Sequence, residues 1–405
     1  MGLHGRTLRS LGYTLVALAA LDAGAAARAD WPAAGERRRS FDTGWRFQKG
    51  DTAGAEKPDF DDARWRVLDL PHDWAIEGPF DPKISPHQGA LPYFGVAWYR
   101  KRFEVTESAR ERHYALEIDG AMSNATVFLN GRELGSRPYG YIGFAVDLTP
   151  HLRFGGENVV AVRLAPEPES SRWYPGAGLY RHVWIDATGP VHVERWGTYV
   201  TTPAATEAGA TVAVRTELRN RETDPARVAL ETVILDPEGR EVARSLSSPT
   251  VPAGTTAAAL IRITVLGPRL WDVDRPHLYK VVSTVKRGDV VLDRYETPFG
   301  IRTIEWGPGN GFLLNGRRVP LKGVCNHHDL GALGAAVNRR AIERQLEILK
   351  RLGANAIRTS HNPPAPELLD AADRMGFLVL DEAFDMWGKT KIKNGHGKYF
   401  AEWGE

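Results

Sequence analysis

Val319-Pro-Leu-Lys-Gly-Val-Cys-Asn-His-His328 begins apolar and ends polar, and the same pattern returns twice downstream. Asn355-Ala-Ile-Arg-Thr-Ser-His-Asn-Pro363 is the second instance and Phe377-Leu-Val-Leu-Asp-Glu382 the third. Each reads as a short strand whose carboxyl end carries polar side chains. Between them lie helical patterns. After Asn338, a helix N-cap residue, Ile342, Leu346, Leu349 and Leu352 recur at helical spacing, and Gly353 closes the run. A second helix is expected near Glu367 to Met375, after Pro363-Pro364 and before Gly376. Strand and helix in alternation imply parallel strands joined by crossovers. The stretch reads as the opening of a (β/α)8 TIM barrel. A whole barrel takes roughly 250 residues, so the expectation is a truncated one with about three strands.

Upstream the pattern is all-β. Trp98 to Val105, His113 to Ile118, Thr126 to Leu129 and Val159 to Leu164 alternate apolar with polar residues. Asn130-Gly131, the favoured type I′ pair, joins two strands. This spacing predicts a two-sheet sandwich or jelly roll, dense in aromatics such as Trp65, Trp74, Trp98, Trp173 and Trp184. From about Pro190 to Arg302, Val212, Val214, Thr216 and Leu218 alternate with polar or small residues, and Pro237-Glu-Gly239 and Gly288-Asp289 mark turns. That length and pattern suit an immunoglobulin-like β-sandwich. Asn315-Gly316 closes a small hairpin before the barrel. The expected division is a signal peptide over 1–29, a jelly-roll domain over 30–187, an immunoglobulin-like domain over 188–302 and the N-terminal part of a barrel over 303–405.

The chain has 405 residues, 42% hydrophobic and 25% charged, the balance of a globular protein. A formal net charge of +2 gives no reason to expect nucleic acid or an anionic membrane as partner. No run is long and apolar enough for a stable membrane span. At the N-terminus Arg6 and Arg9 precede a mostly apolar stretch from Leu11 to Ala27, broken by Asp22, and Ala27-Arg28-Ala29 fits a small-x-small cleavage site. The expectation is export, to a periplasmic or secreted location. Arg37-Arg-Arg-Ser40 lies past that site and is not read as a twin-arginine signal. The lone Cys325 excludes an intramolecular disulfide and is expected to be a packed thiol in a buried strand.

Three polar sets fall at the strand ends: Asn326, His327, His328 and Asp329; then Arg358, Ser360, His361 and Asn362; then Asp381, Glu382 and Asp385. Parallel strands bring their carboxyl ends to one face, where such donors and acceptors suit a polyhydroxylated ligand. Asp381 and Glu382 are not the carboxylate pair of a retaining glycosidase. Neighbours on a strand point to opposite faces, whereas that pair must face each other about 5 to 5.5 Å apart. At most one of the two can point into the site; the other is expected to anchor a loop or helix end. His327-His328 with Asp329 lacks a matched third ligand, so no metal is assigned to it.

The chain resembles the N-terminal half of a glycoside hydrolase family 2 enzyme, most similar to the β-galactosidases. The resemblance runs from about Arg38 onward. Beside the barrel stretches, it rests on Leu70-Pro-His-Asp-Trp74, Trp98-Tyr-Arg-Lys101, Ile118-Asp-Gly-Ala-Met-Ser-Asn-Ala-Thr-Val-Phe-Leu-Asn-Gly131 and Ser171-Arg-Trp-Tyr-Pro-Gly-Ala-Gly-Leu-Tyr-Arg181. It implies a retaining hydrolase of terminal β-galactosides. It places the acid/base in an Asn-Glu pair after the fourth barrel strand and the nucleophile on a later strand. Both positions lie beyond residue 405, so no catalytic residue is assigned here and the 405-residue chain alone is expected to be inactive.

The resemblance carries over a sugar-binding part. His327 and His361 match histidines that contact the sugar, and Arg358 and Glu382, with Asp381, support the site. Asn362 stands where many members have tyrosine. Arg172 and Trp173 lie in a jelly-roll stretch that approaches the barrel mouth; the alternative is a packed tryptophan beside an exposed arginine. Some members bind magnesium through a Glu and a His shortly after the third strand. Met386 and Gly388 stand there instead, so no magnesium and no cofactor are expected. The expected partner is a carbohydrate substrate, and a homo-oligomer stays open. The alternatives are a β-glucuronidase or β-mannosidase of the same family, or a non-catalytic carbohydrate-binding protein. A two-sandwich adhesion module leaves the polar strand ends unexplained.

Overall fold

In the computed structural model, which describes residues 31–33 and 35–383, alternating burial along the first strands closes an antiparallel sandwich. One sheet has six strands in the spatial order Arg66–Leu68, Trp45–Lys49, Ala97–Val105, Gly156–Leu164, Ala125–Leu129 and Arg132–Arg137. The facing sheet runs Arg38–Ser40, Val183–Thr188, His113–Ile118 and Phe144–Asp147. Phe41, Trp45, Tyr99, Leu116 and Ile185 fill the space between them. Asn130 and Gly131 both take positive φ, as a type I′ turn requires, and join Ala125–Leu129 to Arg132–Arg137.

The second sandwich sets the sheet Val191–Ala205, Gly209–Asn220, Thr256–Leu266 against the sheet Glu241–Ser247, Ala229–Leu235, Tyr279–Arg287, Val290–Phe299. Val212, Val214, Thr216 and Leu218 all point inward, as their alternation requires. Gly239 and Gly288 take positive φ at the two expected turns. Asn315-Gly316 then turns Gly311–Leu314 back onto Arg317–Arg318.

Three parallel strands follow: Gly323–Asn326, Ala356–Thr359 and Leu378–Leu380, in that spatial order. Helix α1, Arg339–Arg351, joins the first two, and α2, Pro366–Met375, the last two. The Asn338 side chain accepts from Ala341 N and caps α1. Gly376, at φ 72, ends α2. Ile342, Leu346, Ile357, Ala371 and Phe377 form the core between helices and strands. Leu352 departs from its expected place: it falls just past α1 and is exposed, because the helix stops one residue before the stripe would have used it.

Cys325 departs as well. It is exposed, not packed. The helices cover one face of the three-stranded sheet, while the thiol projects from the other face, where the Arg358 Nη1 donates to its Sγ at 3.3 Å. That guanidinium holds the thiol below its usual pKa. The signal segment 1–29, its cleavage site, Asp385, Met386 and Gly388 lie outside the described residues.

The immunoglobulin-like sandwich grips the base of the barrel piece. Trp271 Nε1 donates to Asp373 O at 2.9 Å, and Lys350 Nζ donates to Val273 O at 2.6 Å and Gly376 O at 3.1 Å. A Cβ at position 376 would lie 2.3 Å from Val273 O, so the close approach itself demands glycine.

Candidate functional site

Three strand ends meet on one face and interlock. Arg358, from the second strand, donates through Nε to Glu382 Oε1 at 2.6 Å. His361 Nδ1 lies 3.0 Å from the other oxygen, Glu382 Oε2. Glu382 N donates to Thr359 Oγ1 at 3.0 Å, and that hydroxyl donates to Asp381 Oδ1 at 3.2 Å. Glu382 is thus the carboxylate that joins the site network. Asp381 anchors the threonine beside it, the division of labour expected for neighbours on a strand. The His361 and His327 rings meet edge to face, 5.7 Å between centroids.

The jelly roll walls this face. Trp173 stacks on His327, with centroids 4.1 Å apart and planes 14° from parallel. Its Nε1 donates to Asp329 Oδ1 at 2.8 Å. Trp173 keeps 37% of its surface exposed, so of the two alternatives the indole is not a packed core residue. Burial holds the His327 imidazole below its ordinary pKa, which leaves the ring neutral at neutral pH. Arg172, next in the chain, is exposed. Asn362 is buried, and its Oδ1 accepts from His361 N at 3.2 Å, so its side chain shapes the loop.

His328 does not join the site. Its Nε2 lies 3.1 Å from Pro175 O, and its ring packs edge-on against Tyr141 and Tyr180. Burial pushes its pKa down to about 4, so it is a neutral interdomain packing group. Adjacent histidines on an extended chain diverge, and only His327 faces the open side. Among the described residues no cluster of three or more His, Cys, Asp and Glu side chains is arranged to hold a metal ion.

Sequence reasoning missed the residues that set the two domains together. Asp73 is 1% exposed and accepts four hydrogen bonds. Oδ1 takes Ala75 N at 3.0 Å and Ala177 N at 2.9 Å; Oδ2 takes Tyr174 OH at 2.6 Å and Ala335 N at 2.9 Å. Ala335 belongs to the segment between His327 and α1, and its methyl group is buried in the jelly-roll core. Room for this packing comes from Gly334, where a Cβ would lie 2.4 Å from Asp73 Oδ2. The signal was an aspartate set among apolar residues in Leu70-Pro-His-Asp-Trp74, a place where a carboxylate survives only if donors surround it. Each barrel strand end also takes one jelly-roll donor: Trp173 to Asp329, Arg181 to the carbonyls of Pro363 and Pro364, and Tyr139 OH to Ala383 O at 3.2 Å.

Comparison with known proteins agrees with this architecture. Residues 76–176 match the glycosyl hydrolase 2 galactose-binding domain-like family, 191–302 match glycosyl hydrolases family 2, and 308–397 match the family 2 TIM barrel domain. The chain is 52% identical over 371 residues to the beta-galactosidase BoGH2A of Bacteroides ovatus, an alignment covering 91% of this chain and 44% of that protein. It is 30% identical to a beta-glucuronidase of Formosa agariphila, over 84% of this chain and 37% of the relative. A crystal structure of a glycosyl hydrolase family 2 member from Bacteroides cellulosilyticus superposes with a TM-score of 0.86 at 42% identity, covering 90% of this chain and 48% of that one. The chain therefore spans less than half the length of these relatives. With the sandwich, the immunoglobulin-like domain and the opening of the barrel in the same order, it belongs to glycoside hydrolase family 2.

Proposed function

We propose that this chain supplies the sugar-binding wall of an exported retaining β-galactosidase. In that enzyme His327 and His361 contact the sugar, Trp173 and Arg172 border it, Asn362 shapes the loop beneath it, and Arg358 with Glu382 and Asp381 supports the reacting carboxylates. The acid/base and the nucleophile come from barrel strands beyond residue 405, and no glutamate within the chain takes either role. One carboxyl group protonates the leaving oxygen while the other attacks the anomeric carbon, and water then releases the sugar with its configuration retained. The observation that carries this reading is the convergence of His327, Arg358, His361 and Glu382 at consecutive parallel strand ends under a jelly-roll tryptophan. The 52% identity to a protein named as a beta-galactosidase supports galactose over other sugars.

The test is a panel of p-nitrophenyl β-D-galactoside, β-D-glucuronide and β-D-mannoside, offered to residues 1–405 and to a longer protein containing the remaining barrel strands. The longer protein is expected to prefer the galactoside and to release β-galactose first, as followed by proton NMR. The 1–405 chain is expected to turn over none of them. Turnover by 1–405 refutes the assignment of both glutamates outside it. Preference for the glucuronide, which the resemblance to beta-glucuronidases supports, moves the enzyme to that specificity. Binding of sugar without turnover by the longer protein leaves the carbohydrate-binding alternative.

A further inference from the structure

Arg181 is buried to 2% exposure, yet among the described residues no carboxylate pairs with it. A buried guanidinium is costly unless its N–H groups are used. Here the two Nη nitrogens are spent on backbone carbonyls, while the buried Nε has no partner among the described residues. Nη1 donates to Tyr141 O at 3.0 Å within the jelly roll and to Pro364 O at 3.2 Å across the domain boundary. Nη2 donates to Pro363 O at 2.8 Å, also across the boundary. Both outward bonds land on the loop that begins with His361 and Asn362.

That loop has few backbone donors of its own beyond His361 N, which bonds Asn362 Oδ1. Pro363, Pro364 and Pro366 have no backbone N–H to give, and prolines fix φ. The loop is also short, with α2 starting at Pro366. Pro363 lies two positions after His361, and each residue spans at most about 3.6 Å, so a shift at Pro363 reaches His361 with little slack. Position 120 is prepared for this arginine. A Cβ there would lie 2.7 Å from Arg181 Cδ, and Gly120 takes no positive φ, so clearance for the arginine accounts for the glycine.

We propose that Arg181 is a positioning residue of the sugar site: from the jelly roll its guanidinium fixes the loop after the second barrel strand and thereby the place of His361 and Asn362. The inference rests on the reading of that face as a glycoside site. It makes the sandwich a working part of the barrel's substrate pocket.

The experiment uses the enzyme that contains the remaining barrel strands, with Arg181→Met, Arg181→Lys and Gly120→Ala. A group misplaced by about 1 Å costs on the order of 100-fold in rate. Arg181→Met is therefore expected to lose about 100-fold in kcat/KM, mainly in KM, and Arg181→Lys, which reaches one proline carbonyl but not both, about 10-fold. Gly120→Ala, which displaces the guanidinium without removing it, is expected to lose activity in the same direction. Hydrogen exchange should accelerate at residues 356–362 and stay unchanged in the immunoglobulin-like sandwich. Unchanged kcat/KM and unchanged exchange at 356–362 in Arg181→Met overturn the proposal. So do equal losses in the Met and Lys variants with exchange accelerated throughout the jelly roll, since that pattern marks a fold-stabilising role alone. If the parent enzyme hydrolyses no β-glycoside, the functional reading fails by itself, and the exchange at 356–362 still decides whether Arg181 fixes the loop.

Discussion

Replacing Asp73 should uncouple the jelly roll from the barrel, and the size of the effect follows from its four donors. Each carboxylate oxygen accepts two hydrogen bonds, so no amide flip rescues Asp73→Asn. With the amide nitrogen at the Oδ1 position, two N–H groups face a donor. With it at the Oδ2 position the Tyr174 hydroxyl can rotate and accept, and only Ala335 N is left unpaired. The second arrangement wins. A buried unpaired donor costs about 1–3 kcal/mol, and bonds to a charged acceptor weaken when it becomes neutral. Against this, the amide avoids burying a charge. The net expectation for Asp73→Asn is a loss of about 2–3 kcal/mol. Asp73→Ala strands all four donors and should lose about 4 kcal/mol or more, and Tyr174→Phe, which removes one charge-assisted bond, about 2 kcal/mol. Urea denaturation is followed by tryptophan fluorescence, to which the buried Trp45, Trp74 and Trp98 of the jelly roll and Trp271 outside it contribute. Because Ala335 lies between His327 and α1, sugar affinity should fall together with stability. If Asp73→Asn and Asp73→Ala both lie within about 0.5 kcal/mol of the parent, the size of an ordinary surface substitution, the segment is held without Asp73 and the reasoning fails.

Three further outcomes follow from the geometry. Glu382→Gln keeps the shape but weakens the bonds that place Arg358 and His361, and a loss of up to about 100-fold in kcat/KM is expected, the order that a misplacement of about 1 Å costs; steady-state kinetics of the longer enzyme check it. Trp173→Phe retains an aromatic face over His327 but loses the bond to Asp329, so its KM should rise by less than that of Trp173→Ala, and equal values would mean that the stacking does nothing. His182 lies 2.8 Å from an Asp42 oxygen and 3.6 Å from Glu367 on α2. Burial lowers its pKa, but the Asp42 hydrogen bond and the charges of Asp42, Glu367 and Asp119 outweigh it and raise the pKa above 6.5. The stability it contributes is then complete below pH 6.5 and is lost as pH rises through the folded-state value. The parent's melting temperature should fall between pH 5.5 and 8.5 by more than that of His182→Gln.

Much of this molecule was legible in the amino-acid sequence because local rules carry it. Asn130-Gly131 and Asn315-Gly316 dictate their turns through the φ they tolerate, Asn338 caps its helix, and the inward positions of Gly209–Asn220 follow from a period of two. The parallel strands and the polar character of their ends follow from alternation with helices. Which polar residues act together was not local. His327 and His328 are neighbours of one type, and only packing separates the one under Trp173 from the one sealed among Tyr141, Tyr180 and Pro175. Cys325 was misjudged for the same reason, since a strand's exposure depends on what covers each face. Asp73 and Arg181 carry no chemistry in sequence; their partners stand up to 262 and 183 residues away. The chain's own pattern determines where strands, turns and helices form, because those choices depend on near neighbours. Only the tertiary structure decides which carboxylate is surrounded by donors and which arginine holds the loop of His361, because desolvation acts on groups that meet in space alone.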